Sequence, residues 1–415
     1  MQIILLDEAR FDQFAVSHPN HNYYQTSNYG RLMTKHGHNA YYLGLTDDIG
    51  DIKAATLIIV KNDSKEKRKM GYAPRGFLID WNNDDLVKEF TEKLKDFLSK
   101  RNFTYVKVDP MVVYKEHNID GSEKTLSDSN QSLVQKLQGL GYIHMGFNNG
   151  MEASKPRWNA LTALDSNIIA LYNSISKEAR EKISEASKLG NRVYRGSMND
   201  ISLLYSVINK TTPPLDYYLD YYQFYGQNMF EIYFNKLEPI SYVNSSKTMY
   251  ENEEQKNNDL NMQMQDFNNP NKDAIINEKL KSDEKLAKYK KNMLEASNLF
   301  QRYPSGLVTA AVAVIKYGST VTFFASGVNE TFKDQYPEYL LKWQLMQEYS
   351  KMGYKVVNLG GLTSEFKKDY ESTLMTEMSN KMVEYIGEFD LVINKKAYYT
   401  GSRLNPILNW LNTPI

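Results

Sequence analysis

The sequence predicts a mixed α/β (α+β) fold in which one unit is used twice, with a helical insertion in the second copy. Three observations predict it. Short segments rich in β-branched and aromatic residues are bounded by Asp, Gly or Lys clusters, an amphipathic helix and a further strand follow them, and the same order recurs in the second half. The chain has 415 residues, a length that favours two or three domains because single cores stop growing near ~250–300 residues.

The first unit opens with strands expected at Tyr41–Leu45, Ala54–Val60 and Met70–Ile79. Residues 84–101 follow as a helix. Leu86, Phe90, Leu94 and Phe97/Leu98 recur at helical spacing, and Asp84 or Asp85 stands where a cap belongs. Thr104–Val108 reads as a strand that stops at Asp109-Pro110, and residues 126–140 as a second helix closed by Gly141. In the second unit Met229–Phe234 reads as a strand. Leu307–Tyr317 and Thr320–Ser326 read as a hairpin around Gly318. A helix over Tyr336–Met352 and a strand over Lys355–Leu359, ending at Gly360-Gly361, complete it.

Between these stretches, residues 241–302 are polar, rich in Lys and Glu, and nearly free of glycine. Asn268-Asn269-Pro270-Asn271 marks a turn. Downstream, Leu286, Tyr289, Met293, Ala296 and Phe300 step by three and four, the seam of a coiled coil. The upstream seam is sparser: Tyr242, Met249, Leu260 and Met264. Two antiparallel helices projecting as an arm are expected. A disordered charged insertion is the alternative, and the downstream seam argues against it.

Composition excludes several functions. Cysteine is absent, which removes disulfides, thiolate nucleophiles and Cys-ligated metals. Formal net charge is zero, so an RNA partner must be met by a local patch or by shape. Asp7 and Glu8 follow a very short apolar run, so no signal peptide is expected, and no run approaches the ~20 residues of a membrane span. A cytoplasmic protein is expected. No phosphate-cradling Gly loop, dinucleotide fingerprint or H-E-x-x-H motif occurs, and the six histidines lack zinc-site spacing. No metal or cofactor is implied.

The repeated α/β unit resembles the acetyltransferase-like (GNAT-like) fold. Neither copy carries the Gly-rich loop with which members of that class cradle coenzyme A, so that acyl donor loses support. Several segments carry a sharper resemblance. They are Tyr24-Gln25-Thr26-Ser27 with Tyr29 and Lys35; Ala73-Pro74-Arg75-Gly76; Val106-Lys107-Val108-Asp109-Pro110; Lys155-Pro156-Arg157; Lys177-Glu178-Ala179-Arg180; Gly360-Gly361; and Tyr385-Ile386-Gly387-Glu388-Phe389-Asp390. In this order and spacing, with the arm between them, they resemble the Fem-type (FemABX/MurM-like) peptidoglycan-bridge aminoacyltransferases over nearly the whole chain.

The resemblance implies two tandem GNAT-like subdomains, residues 1–160 and residues 161–240 with 303–415, and an arm at 241–302. It implies transfer of an amino acid (Gly, Ala or Ser) from aminoacyl-tRNA to the stem-peptide side-chain amine of lipid II or a UDP-linked precursor, at the inner face of the membrane. Such a reaction needs a proton acceptor near the amine and positive or N–H donors near the ester oxyanion. Two rivals stand beside it: an acyltransferase using another donor, and a catalytically weak immunity or resistance protein that binds precursor.

Asp109 is the candidate for holding or deprotonating the amine; the alternative is a turn residue before Pro110. Lys35 matches a position that meets precursor phosphate in relatives, or is a solvated loop lysine. Arg75 grips a carboxylate or phosphate, or forms a structural buried ion pair. Gly360 and Gly361 permit close approach of a ligand, or make a tight turn. Lys177, Arg180 and Lys182 meet tRNA, or form a solvated face with the interleaved Glu178, Glu181 and Glu185.

Two departures stand out. Relatives carry an Arg shortly before 216–222, where this chain has Thr211-Thr212-Pro213-Pro214, which leaves Tyr217 and Tyr218 as precursor contacts. They also carry a Phe-Lys pair where an ungapped alignment puts Leu374 and Met375. Methionine cannot stabilise an oxyanion by charge. Either Lys367, Lys368 or Lys381 substitutes, or the loop is shifted, or this chain is a divergent paralogue of low or altered activity.

Overall fold

The structure, a computed structural model, describes residues 1–61, 68–119, 121–124, 131–150, 153–208, 213–265, 272–363 and 369–401. The turn expected at 268–271, the start of the helix expected at 126–140, Thr211, Thr212, Lys367 and Lys368 lie outside these residues.

Two mixed sheets organise the chain. In the first, seven strands lie in the order Gln2–Leu5, His38–Thr46, Ile52–Lys61, Lys69–Ala73, Phe103–Val108, Phe389–Val392 and Tyr142–His144. The second has eight strands. Val113–His117, Lys381–Tyr385, Trp158–Ala163 and Val356–Leu362 come first, then Thr320–Val328, Leu307–Tyr317, Phe230–Leu237 and Asn191–Arg195. Sheet membership does not divide at one point in the chain. Phe389–Val392 pairs with Phe103–Val108 in the first sheet, and Val113–His117 pairs with Lys381–Tyr385 in the second.

Each sheet contains the same connection. Ile52–Lys61 pairs antiparallel with Lys69–Ala73, the helix Asp84–Ser99 crosses over, and Phe103–Val108 returns parallel to Lys69–Ala73. Leu307–Tyr317 pairs antiparallel with Thr320–Val328, the helix Pro337–Lys351 crosses over, and Val356–Leu362 returns parallel. The recurrence read from the sequence is therefore a recurrence of topology. Several boundaries move. The strand expected at Met70–Ile79 stops at Ala73. The first crossover helix is capped by the Asn83 side chain, which accepts from Leu86 N–H at 3.0 Å, while Asp84 and Asp85 occupy its first turn.

The central strands are buried on both faces, as strands covered by helices must be. In Ile52–Lys61, Ala54, Ile58 and Val60 face the core under the helix Asp84–Ser99. Ala55, Leu57 and Ile59 face the opposite way, into a core shared with the second sheet. Leu307–Tyr317 alternates likewise: Ala311, Ala313 and Ile315 enter the shared core, and Ala310, Val312 and Val314 pack under the helix Pro337–Lys351. This shared core fixes the two sheets against each other and sets the shape of the groove between them.

The polar insertion forms two long helices, Pro239–Met264 and Lys272–Arg302. They run antiparallel, since Tyr242 packs with Ala296 while Lys256 pairs with Glu278 at 2.7 Å. Ile275, Ser282 and Ala296 are buried in the second helix at multiples of seven residues. Phe300, expected on the seam, is exposed, and Leu299 takes the packing position instead. The seam is partly polar: Asn257 Nδ2 donates to Ser282 Oγ at 3.1 Å. No described helix is long and apolar enough to cross a membrane.

Candidate functional site

Parallel pairing creates the centre of the site. Ala73 and Val108 are partners at the ends of neighbouring parallel strands, so the residues just beyond them leave the sheet at the same edge. Those residues are Arg75 and Asp109. Asp109 Oδ1 accepts the Arg75 backbone N–H at 2.7 Å, and the Arg75 guanidinium lies 3.7 Å from Oδ2. Arg75 adopts φ +53°, a left-handed conformation that costs a non-glycine residue about 1–2 kcal/mol. The hydrogen bond from its own N–H to Asp109 helps to hold it there.

Asp109 is 2% exposed. Among the described residues its Oδ2 accepts no hydrogen bond. Burial pushes its carboxyl up to about 6, with the Arg75 charge opposing and the Glu388 charge reinforcing the rise. A carboxyl in that range exchanges a proton near neutral pH, which suits general-base work. Behind it Lys107, also buried, sits 3.3 Å from both Glu388 and Asp390. Arg157 pairs with Glu384, which also meets His117 at 3.0 Å. The first set ties neighbouring strands of the first sheet, and the second ties neighbouring strands of the second.

Arg75 also reaches forward. Its Nη2 donates to the Pro156 carbonyl at 2.7 Å, and its guanidinium lies 5.1 Å from the Tyr385 ring. It lines a groove of about 660 Å³ between the two sheets. Asn22, Tyr24, Lys155 and Pro156 line the same end as Arg75. Tyr217, Tyr218 and Phe324 form an aromatic wall, with Tyr217 stacked on Phe324 at 5.7 Å between centroids. Burial pushes the Tyr217 hydroxyl pKa well up, so it stays protonated as a donor. Glu338, Asp369, Tyr370 and Glu371 line the groove as well. Glu338 is buried, held by Lys342 at 2.8 Å and by the Ser326 hydroxyl at 2.7 Å.

Two bulges shape the walls. Phe324 is the extra residue where Ala313 pairs Ala325 and Val314 pairs Phe323. Leu359 is the extra residue between Asn358 and Gly360 on the strand that pairs with Trp158–Ala163. After it Gly360 takes φ +133°, open only to glycine, and Asn358 Oδ1 accepts its N–H at 3.0 Å. A Cβ on Gly361 would overlap the Pro156 ring. Both glycines line the groove inside a strand rather than ending one.

The structure thus gathers Arg75, Tyr217, Tyr218, Gly360 and Gly361 at one groove, with Asp109 directly behind Arg75. Other candidates lie elsewhere. Lys35 ends the helix Ser27–Lys35 and pairs with buried Asp220, which also accepts from His36 at 2.8 Å. It is not part of the groove lining. Met375 is a core residue, 5% exposed, packed with Leu374 and Met378 in the helix Tyr370–Met378. Its position therefore faces the core and not the groove. Lys381 pairs with Glu116 outside the groove lining.

The basic helix Lys177–Ala186 divides its residues. Lys182 does not present a free charge: it binds both Glu377 oxygens, at 2.8 and 2.7 Å, and meets the Tyr339 hydroxyl at 3.2 Å. Lys177 and Arg180 line a second groove, of about 500 Å³, against the paired helices. Lys188, Lys285 and Lys288 line it too, with Tyr172, Tyr289 and the acidic Glu181 and Glu185; Lys177 pairs with Glu181 at 3.7 Å and Lys288 with Glu185 at 2.7 Å.

Sequence reasoning assigned no role to Lys155, Glu338 or Phe324. A signal existed for Lys155, in the Lys155-Pro156-Arg157 segment. Glu338 and Lys342 stand four residues apart on one helix, and the fold buries the pair. Among the described residues no cluster of His, Asp or Glu is arranged to hold a metal ion.

Comparison with known proteins agrees with this architecture. Aminoacyltransferase FemA of Staphylococcus aureus (strain bovine RF122 / ET3-1) is 24% identical over 421 residues, covering 98% of this chain and 99% of its own. Lipid II:glycine glycyltransferase of Staphylococcus aureus (strain USA300) is 23% identical, covering 98% of this chain and 97% of its own. The crystal structure of FemX superposes with a TM-score of 0.75 at 20% identity, over 96% of this chain and 99% of that one. A model described as the FemAB family matches residues 6–405, and the chain belongs to that family.

Proposed function

We propose that this protein is an aminoacyltransferase that builds the peptidoglycan interpeptide bridge. It moves an amino acid from aminoacyl-tRNA to the stem-peptide side-chain amine of lipid II or its nucleotide-linked precursor. One observation carries the reading: the buried Asp109 carboxyl, raised to about 6, sits behind Arg75, which lines a groove of about 660 Å³. Relatives named for aminoacyl transfer, and for lipid II in one case, match nearly the whole chain.

In this reading the acceptor amine reaches Asp109 past Arg75 and gives up a proton there. Its lone pair then attacks the ester carbon. Tyr217, Tyr218, Gly360 and Gly361 shape the path of the stem peptide. The two sheets act as two acetyltransferase-like subdomains that exchange one strand each, and the paired helices are an arm. The tRNA backbone meets the second groove through Lys177, Arg180, Lys188, Lys285 and Lys288. Lys35 contributes a phosphate contact only after release from Asp220. The reaction takes place at the inner face of the membrane, where lipid II is made.

The burial of Met375 favours a second reading, a precursor-binding paralogue that does not transfer. One experiment separates the two. Purified protein is incubated with lipid II and labelled glycyl-, alanyl- or seryl-tRNA. Label moving to lipid II supports the transferase. Lipid II binding without transfer supports the paralogue, and transfer from a coenzyme A thioester alone overturns both.

A further inference from the structure

Acyl transfer places a negative charge on the ester oxygen, and a groove of this kind needs a cation or N–H donor where that charge develops. Met375 faces the core in this chain. Three cations line the groove among the described residues: Arg75, Lys155 and Lys333. Arg75 is buried against Asp109 and donates to the Pro156 carbonyl. Lys333 pairs with Glu330 at 3.3 Å and lies over the Tyr370 ring. Lys155 is half-buried, and its ammonium lies 4.3 Å from the centre of the Tyr24 ring. Among the described residues it has no carboxylate partner.

The backbone that presents Lys155 is fixed. The Pro156 carbonyl accepts from Arg75 Nη2 at 2.7 Å and from Asn159 Nδ2 at 3.0 Å. The Pro156 ring occupies the space that Gly361 leaves by lacking a side chain. The next residue upstream, Ser154, is held by its N–H on Glu388 at 2.6 Å. Lys155 lines both the main groove and the small pocket of about 10 Å³ that contains Asp109. Among the described groove-lining cations, it is the one whose side chain is free to turn toward a bound ester while its base is held still.

We propose that the Lys155 ammonium stabilises the oxyanion of the acyl-transfer intermediate. The inference rests on the transferase reading above. The acceptor amine gives its proton to Asp109, and its lone pair forms the new C–N bond. The carbonyl π pair moves onto the oxygen, which becomes anionic beside Lys155. Collapse restores the C=O bond and breaks the bond to the ribose oxygen, which takes the proton that Asp109 received and leaves as a hydroxyl, restoring the carboxylate. The Tyr24 face holds the ammonium in place between turnovers without neutralising it, as a carboxylate would.

The test compares wild type, Lys155→Met and Lys155→Arg with lipid II and glycyl-, alanyl- and seryl-tRNA. Methionine keeps the apolar stem and removes the charge. The expected result is a kcat lower by about 100-fold in Lys155→Met, with KM for lipid II within about two-fold of wild type and thermal melting unchanged. Lys155→Arg keeps most of the rate. The acid limb of the Lys155→Met pH profile moves to higher pH, because the Lys155 charge holds the Asp109 carboxyl down. A merely structural lysine would not produce that shift together with rescue by arginine. Equal kcat in Lys155→Met and wild type overturns the proposal while leaving the transferase reading intact. A raised KM with unchanged kcat also overturns it, making Lys155 a binding contact. A wild type that transfers nothing from any of the three donors overturns both.

Discussion

Gly360 and Met375 share one space: a Cβ on Gly360 would come within 2.8 Å of the Met375 sulphur. The groove wall and the core beneath it are therefore one packed unit, and the side chain at 375 supports the wall from below.

Met375→Lys will destabilise the protein by about 3 kcal/mol, since it places an unpaired charge in an apolar core. Met375→Leu, which conserves volume, will cost less than about 1.5 kcal/mol. Urea denaturation of the two variants checks this. If Met375→Lys is as stable as wild type and faster in transfer, position 375 reaches the groove and its assignment to the core is wrong.

Asp109 governs a pH dependence. Transfer needs the carboxylate, so kcat should fall on the acid side with an apparent pKa near 6. Asp109→Asn keeps an acceptor for the Arg75 N–H and will abolish that limb along with most of the activity. Glu388→Gln will move the limb to lower pH, because the Glu388 charge adds to the rise. The effect on stability has the opposite sense. The folded-state pKa of about 6 lies above the ordinary 3.8, so the native state holds this proton more tightly than the unfolded chain. The resulting stabilisation is complete below the ordinary value and lost as pH rises through 6. Relative to Asp109→Asn, wild type should lose stability between pH 4 and pH 6. A flat difference across that range would contradict the raised pKa.

Arg75→Lys will lower transfer by at least about ten-fold, because an ammonium cannot face Asp109 and the Pro156 carbonyl in one plane. Gly361→Ala acts at the same contact from the other side, pushing on the Pro156 ring. Both should lower kcat with small changes in fold, read by steady-state kinetics beside circular dichroism. A wild-type rate in Arg75→Lys would reduce Arg75 to a point charge.

The helix Lys177–Ala186 allows a separation of roles. Lys182→Met leaves Glu377 without its ionic partner and will cost about 1–3 kcal/mol of stability, with no change in tRNA affinity. Lys188→Glu combined with Lys285→Glu will weaken tRNA binding and flatten its dependence on salt, since each lost phosphate contact lowers the logarithmic slope. Filter binding at several salt concentrations measures both. The reverse pattern would place the RNA on another face.

The sequence by itself determined the mixed α/β class, the repeated order of strands around each crossover helix and the polar helical insertion. Those features follow from local spacing: two for strands, 3.6 for helices, and Gly or Asp where elements end. It also marked Asp109, at the end of a predicted strand, while Arg75 and Gly360-Gly361 were marked by the family resemblance. Only the tertiary structure decided which of them meet. Arg75 and Asp109 come together because Ala73 and Val108 pair in parallel, a register that no local pattern encodes. Phe389–Val392 joins the first sheet rather than the second, so Glu388 and Asp390 reach Lys107 from far along the chain. Lys182 is paired by Glu377 of a neighbouring helix, and Lys342 is buried between Glu338 of its own helix and the Phe323 ring of the sheet, contacts that no local pattern shows. Met375 and Lys155 show the same physics in opposite directions: long-range packing turned one position inward and left the other lining the groove.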